Sequence, residues 1–196
     1  MRRGILSMKK NTTRQMLIIV DDNDVPTGQY EDKGECHFGD GIHHRAFVVL
    51  LENFKGEVLL QLRKHVRWDK YWDLTAISHV LHFRPDHNES YQEAALRSLK
   101  EEMGITNVTI KKIGGFNYFA KYHSHCENEY CAVLIGIYNG KIAPNTDVIY
   151  EYKWMPKNAF INDVEQFPEK YTPWAVEGVK ILDQNSEIKD QKQDQK

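Results

Sequence analysis

The chain has 196 residues, with 26 Lys and Arg against 28 Asp and Glu, for a formal charge of −2. The near balance gives no argument for nucleic acid as a bulk partner, and the length suits one domain with a sizeable core. No run of about 18 apolar residues is present, so no transmembrane helix is expected. Residues 1–8 carry basic side chains but too little apolar sequence for a secretory signal. The cysteines Cys36, Cys126 and Cys131 are odd in number and lack C-x-x-C spacing. They predict no disulfide framework and a reducing, cytoplasmic setting.

In chain order, residues 1–14 are polar and basic without periodicity and read as a mobile arm. The body runs from 15 to 183. Met16 to Val20 reads as a strand. Ala46 to Leu51 and Val58 to Leu62 are apolar runs joined by a turn with Gly56, a hairpin signal. A helix is predicted at about 91–103, where Ser90-Tyr91-Gln92-Glu93 matches a capping box and Gly104 is a stop. Ala95, Leu99 and Met103 share one face of it. Strands are predicted at Val108–Phe119, Ala132–Tyr138 and Val148–Trp154, and a last helix from Trp174 to Leu182. Residues 184–196 are almost wholly polar and predict a disordered tail. Strands outnumber helices and mix with them, which predicts an α+β fold.

Two groups of residues carry candidate chemistry. On the predicted helix, Ser98, Glu101 and Glu102 stand at i, i+3 and i+4. Taken alone this reads as a solvated acidic face. The sharper reading is that the carboxylates hold Mg²⁺ or Mn²⁺ against a phosphate-bearing substrate. Here the chain resembles the Nudix superfamily. That box runs Gly, five residues, Glu, seven residues, then Arg-Glu-apolar-any-Glu-Glu-any-Gly-apolar. The chain matches it with Glu89, Arg97, Leu99, Glu101, Glu102, Gly104 and Ile105. It departs at Phe83, where the Gly belongs, and at Ser98, where a metal-binding Glu belongs. The resemblance implies a Nudix fold, a mixed sheet sandwiched by helices, here with an extra N-terminal strand.

The second group is rich in histidine. His37 and His44 flank a Gly-containing segment, His79 lies further on, and Glu127 and Glu129 point to one side of a predicted strand. A lone His is more often a satisfied polar residue than a ligand. Three His and two Glu from four segments would make a mixed nitrogen and oxygen site for a divalent metal, provided they converge.

Nearly the whole body, from Ile18 to Leu182, resembles the type 1 isopentenyl-diphosphate isomerases. The resemblance is carried by the segments 20–24, 41–47, 59–63, 127–129 and 172–174. It implies His37, His44, His79, Glu127 and Glu129 as metal ligands, and Glu102 as a carboxylate aiding a second Mg²⁺ on the diphosphate. It implies Lys33, Arg63 and Arg67 as diphosphate contacts, Tyr118 beside the acid, and Trp174 as the ring that shields a cation. Two departures stand out. Ile77 occupies the position of the family's catalytic Cys, and Ser98 that of a diphosphate-binding Arg. Ser78 and Cys126 are the nearest candidates to replace the Cys. Both are weak, since an unactivated hydroxyl is a poor acid or base near pH 7 and a thiol is more often simply packed.

Because an Ile cannot exchange a proton, the residues put hydrolysis of a diphosphate first. Glu101 and Glu102 would serve the metal, and Glu127 or Glu129 would orient or deprotonate water. The alternatives are isopentenyl-diphosphate isomerisation and a non-catalytic metal or diphosphate binder. The cofactor would be Mg²⁺ or Mn²⁺, with Zn²⁺ admitted by the imidazoles. The expected partner is a small diphosphate, without nucleic acid or membrane, and the sequence gives no oligomeric state. His123-Ser124-His125-Cys126 reads as a polar loop or a separate soft-metal patch.

Overall fold

The run Ala46–Leu51 is apolar at every position. A strand presents alternate residues to opposite faces, so such a run must be covered on both sides. The structure, a computed structural model describing residues 14–83 and 87–193, does this. Its strands are β1 (Met16–Val20), β2 (Pro26–Asp32), β3 (His44–Glu52), β4 (Glu57–Arg63), β5 (Trp72–Asp73), β6 (Ala76–His79), β7 (Leu81–Phe83) and β8 (His87–Asn88). They continue as β9 (Ile110–Tyr122), β10 (His125–Ile137) and β11 (Ile149–Pro156). The helices are α1 (Lys33–Cys36), α2 (Tyr91–Met103), α3 (Lys157–Gln166) and α4 (Pro173–Gln193).

β3 is the centre of the sheet. It runs parallel to β10 and antiparallel to β1, β4 and β6. Phe47, Val49 and Leu51 face one core with Ala94, Ala95, Leu99 and Met103 of α2. Ala46, Val48 and Leu50 face the other, with Phe160 and Val164 of α3 and Trp174, Val179 and Leu182 of α4. The result is an α+β layer arrangement with a mixed sheet between helices.

Local signals are realised where they are strongest. In α2 the Ser90 hydroxyl accepts from the Glu93 amide, the Glu93 side chain accepts from the Ser90 amide, and Gly104 takes a left-handed φ of 68°. Ala95, Leu99 and Met103 are fully buried. Truncating Leu99 to Ala would cost about 2–5 kcal/mol.

Two differences from the sequence reading have physical causes. Ser98, Glu101 and Glu102 do not act as one face: Ser98 is buried, whereas Glu101 is 63% exposed in its side chain and lies 3.8 Å from Arg97. Successive helical residues are about 100° apart, so Glu101 and Glu102 look in different directions. α4 runs to Gln193, into the stretch whose composition predicts disorder. Gln, Glu and Lys are good helix formers, which suits this extension. The expected arm at 1–14 lies outside the described residues except for Arg14, whose Nε donates to Asp32 at 2.7 Å. Residues 194–196 also lie outside them.

Candidate metal centre and diphosphate cleft

The register of the central strands assembles one end of the sheet into a site. Glu129 in β10 sits beside His44 in β3, and His79 in β6 pairs with Ala46, which shares a face with His44. Glu127 lies two residues before Glu129, on the same side of β10. His37 follows α1 and returns through a loop whose Gly41 has φ 66°. A Cβ there would stand 2.5 Å from the Cys126 sulfur and 2.9 Å from the Cys36 carbonyl, so only Gly lets the loop close.

His37, His44, His79, Glu127 and Glu129 converge. One ligand atom from each lies within 4.8 Å of all the others. Ligands about 2.0–2.2 Å from one ion stand about 3–4.4 Å apart, so the spread is close to that of a shared cation. The imidazole centroids are 4.7, 4.9 and 5.1 Å apart around the same point.

The donor set fits a divalent metal. His37 Nδ1 lies 2.6 Å from the Lys33 carbonyl, and His44 Nδ1 lies 2.7 Å from the Ile42 carbonyl. A carbonyl only accepts, so both Nδ1 atoms carry the hydrogen and both Nε2 lone pairs point inward. His37 Nε2 is 2.8 Å from Glu127 and His44 Nε2 is 3.3 Å from Glu129, yet neither nitrogen has a hydrogen-bond partner. Buried lone pairs facing carboxylate oxygens repel unless a cation sits between them. His79 Nε2 is 2.9 Å from Glu129, and its buried Nδ1 is unpaired. Burial, with the charge of Lys33, holds His79 well below the usual histidine value. A neutral imidazole is the form that binds metal.

The adjoining cleft is lined by Lys33, Arg63, Arg67, Tyr118 and Trp174. Burial pulls the Lys33 pKa down, although Glu127 counters it. Arg67 Nε is buried without a partner, as expected of a donor awaiting an anion. Tyr118 pairs with Glu129 across β9 and β10, and its hydroxyl donates to Glu129 at 2.5 Å. Ile77 and Ser78 also line the cleft. Glu102 reaches it from α2, accepting from Gln61 Nε2 at 2.7 Å and from the Ser98 hydroxyl at 2.5 Å. Burial raises its pKa against those two hydrogen bonds. Ser98 thus serves Glu102 instead of replacing either an Arg or a metal-binding Glu.

Glu101 is the sequence-predicted metal residue that the structure leaves outside the cleft. Cys126 is buried against Gly41 and does not line the cleft. His123 and His125 join no metal-binding group among the described residues.

Sequence reasoning missed Gln61, His65 and Asp73. His65 lines the cleft, and its Nδ1 is 3.2 Å from both Arg63 and the Arg67 amide. Burial and the Arg63 charge push it down to about 4, so it is neutral at pH 7. Asp73 is fully buried behind the cleft and accepts from the Trp174 indole. Its one sequence signal was a carboxylate flanked by apolar residues.

The NUDIX domain family matches residues 42–175. The chain is 32% identical over 166 residues to isopentenyl-diphosphate Delta-isomerase 2 of Photorhabdus laumondii, covering 82% of this chain and 88% of that protein. It is 34% identical over 166 residues to the isopentenyl-diphosphate Delta-isomerase of Halorhodospira halophila, covering 81% and 89%. The crystal structure of DR0079 from Deinococcus radiodurans matches with a TM-score of 0.64 at 16% identity, over 84% of this chain and 97% of that one. The MutT protein from Methanosarcina mazei matches with a TM-score of 0.57 at 22% identity, over 74% and 95%. These two structures establish the fold, and the sequence matches carry the lineage. The chain belongs to the Nudix family, on its isopentenyl-diphosphate isomerase-like branch.

Proposed function

We propose that the chain is a divalent-metal-dependent enzyme that holds a small organic diphosphate and moves a proton on its carbon chain, an isomerase-type reaction. The observation that carries this reading is the hydrogen bond from Tyr118 to Glu129, a member of the five-residue cage. Burial and the carboxylates of Glu129 and Glu127 push the Tyr118 hydroxyl well above the usual tyrosine value, so it keeps its proton and donates to Glu129. A divalent cation held by the cage would neutralise the paired carboxylates and acidify what it touches. Lys33, Arg63 and Arg67 would take the diphosphate through charge-assisted hydrogen bonds. The Trp174 ring already lies 5.1 Å from the Arg63 guanidinium carbon, and the same π face would stabilise positive charge on the substrate.

Ile77 limits the rate. It pairs with Val48 and puts an alkyl group on the cleft wall where a base would receive the second proton. A general acid or base is typically worth about 10²–10⁴-fold, so isopentenyl diphosphate should turn over slowly. Hydrolysis at phosphorus, which the residues alone put first, becomes the second reading. Of the box carboxylates only Glu102 lines the cleft, which is too few for the carboxylate cluster that reading invoked. Ile77 is the observation in its favour, because attack by water needs no group at that position.

The test follows isopentenyl diphosphate with Mg²⁺ or Mn²⁺, measuring dimethylallyl diphosphate and released phosphate side by side. The proposal expects slow isomer formation, no phosphate, and at least about a tenfold gain in Ile77→Cys. Phosphate without isomer would replace it with the hydrolase. Binding without either product would leave a non-catalytic binder.

A further inference from the structure

Asp73 lies outside the cleft but touches two of its walls. Trp174 Nε1 donates to both of its carboxylate oxygens at 2.9 Å, and the Leu74 amide donates to Oδ1 at 2.8 Å. Arg63 NH1 stands 3.7 Å from Oδ2, and the Arg63 guanidinium carbon is 5.1 Å from the Trp174 ring centroid. The three side chains come from β4, β5 and α4, so no single element sets their geometry. The Arg63 side chain also lies 3.2 Å from His65 and 3.3 Å from the Arg67 carbonyl.

We infer that Asp73 is a positioning residue: it fixes the Trp174 ring and aims the Arg63 guanidinium, so that diphosphate affinity depends on its negative charge. The inference rests on the proposal that the cleft binds a diphosphate. An indole N–H shared between two oxygens needs both oxygens as acceptors. Protonating either one puts a second donor against the indole and removes the charge facing Arg63. The carboxylate is therefore the form that holds both walls.

The cost of that arrangement is visible. Burial pushes Asp73 up to about 7, even though Arg63, the Leu74 amide and the Trp174 indole all favour the ionised form. Asp73 also acts on the buried Cys131 of β10, whose thiol is itself pushed well above the usual range. The ordinary value for Asp is 3.8, so the folded state binds this proton more tightly than the unfolded chain. Stability then falls as pH rises from about 4 to about 7. A neutral Asn of the same shape should stabilise the fold at pH 8 while loosening the walls. A carboxylate with a purely structural role would leave diphosphate affinity the same in both proteins.

The charge of Asp73 also subtracts from the positive potential of the cleft. Lys33, Lys64 and Arg67 still supply that potential, so what Arg63 gains from Asp73 is direction.

The test uses the full chain with Mg²⁺ and measures binding of isopentenyl diphosphate and of inorganic pyrophosphate by calorimetry at pH 6 and pH 8. Wild type and Asp73→Asn are compared, with melting temperature and tryptophan emission alongside and Trp174→Phe identifying the Trp174 signal. The inference expects Asp73→Asn to bind isopentenyl diphosphate about tenfold more weakly at pH 8, to melt higher at pH 8, and to shift Trp174 emission. It expects the affinity ratio between the two proteins to shrink at pH 6. Equal or tighter binding by Asp73→Asn, or a lower melting temperature at pH 8, would overturn it. Absence of binding in the wild type would instead defeat the diphosphate reading and take this inference with it.

Discussion

In the cage, five candidate ligands from four separated segments meet within 4.8 Å. In and beside the box helix, four acidic residues go to four different places. Glu89 accepts from Arg97 and from the Leu81 amide. Glu93 closes the cap on Ser90. Glu101 faces solvent, and Glu102 alone enters the cleft. The motif that is easiest to find in the sequence therefore contributes one side chain to the cleft, while the scattered residues form the candidate ligand set. Much of the box is architecture: Arg97 also donates to the His79 carbonyl, which ties the helix to the strand that carries a cage residue.

This contrast makes graded predictions. The largest effect belongs to Glu129→Gln, which replaces the charged carboxylate that is both a candidate ligand and the partner of Tyr118 with a neutral amide. Turnover should fall by at least about 10²–10⁴-fold, measured as kcat at saturating metal. A loss below about threefold would move the chemistry out of the cage. Chelation comes next. A cation present at about a thousandfold over its Kd stabilises the fold by about 4 kcal/mol, so stripping it should lower Tm by on the order of 10 °C. Identical melting curves with and without chelator would show that the cage holds no stabilising ion.

Glu102→Gln should lose about 10–100-fold in turnover, the usual range for a residue supporting a metal site. Its folded pKa is raised by burial, so the charged form costs stability as pH rises through the carboxylate range. The Gln variant should therefore match or exceed the wild-type Tm at pH 8. Unchanged kinetics with unchanged melting would make Glu102 a bystander. The smallest effect belongs to Glu101→Gln. This residue is exposed, so stability should stay within about 0.5 kcal/mol and turnover close to wild type. A large loss of activity there would restore the helix to the centre of the mechanism.

Parts of this molecule were legible in its sequence for local reasons. The helix at 91–103 announces itself through a capping box, a period of hydrophobic residues and a stop, all within fifteen positions. β3 is legible because it is buried on both faces. β2 was not, since Pro26-Thr27-Gly28-Gln29-Tyr30-Glu31-Asp32 is polar and largely exposed, and pairing with β1 alone defines it. α3 was overlooked although Phe160, Ile161 and Val164 carry helical spacing. β5 to β8 have two to four residues each, too short to show a period.

The cage was reached through family resemblance, because nothing local links His37 to Glu129. The dispersal of Glu101 and Glu102 needed the helix rotation relative to the cleft. Asp73 carries only the weak signal of a carboxylate between Trp72 and Leu74, because its main partner, Trp174, lies 101 residues away.

The most direct measurement is titration of Mn²⁺ into metal-stripped protein, read by electron paramagnetic resonance, for the wild type, Glu129→Gln and Glu102→Gln. The account predicts one tight site in the wild type, its loss in Glu129→Gln, and its retention in Glu102→Gln. Tight binding that survives in Glu129→Gln and disappears in Glu102→Gln would contradict it, and would place the metal on the helix instead of in the cage.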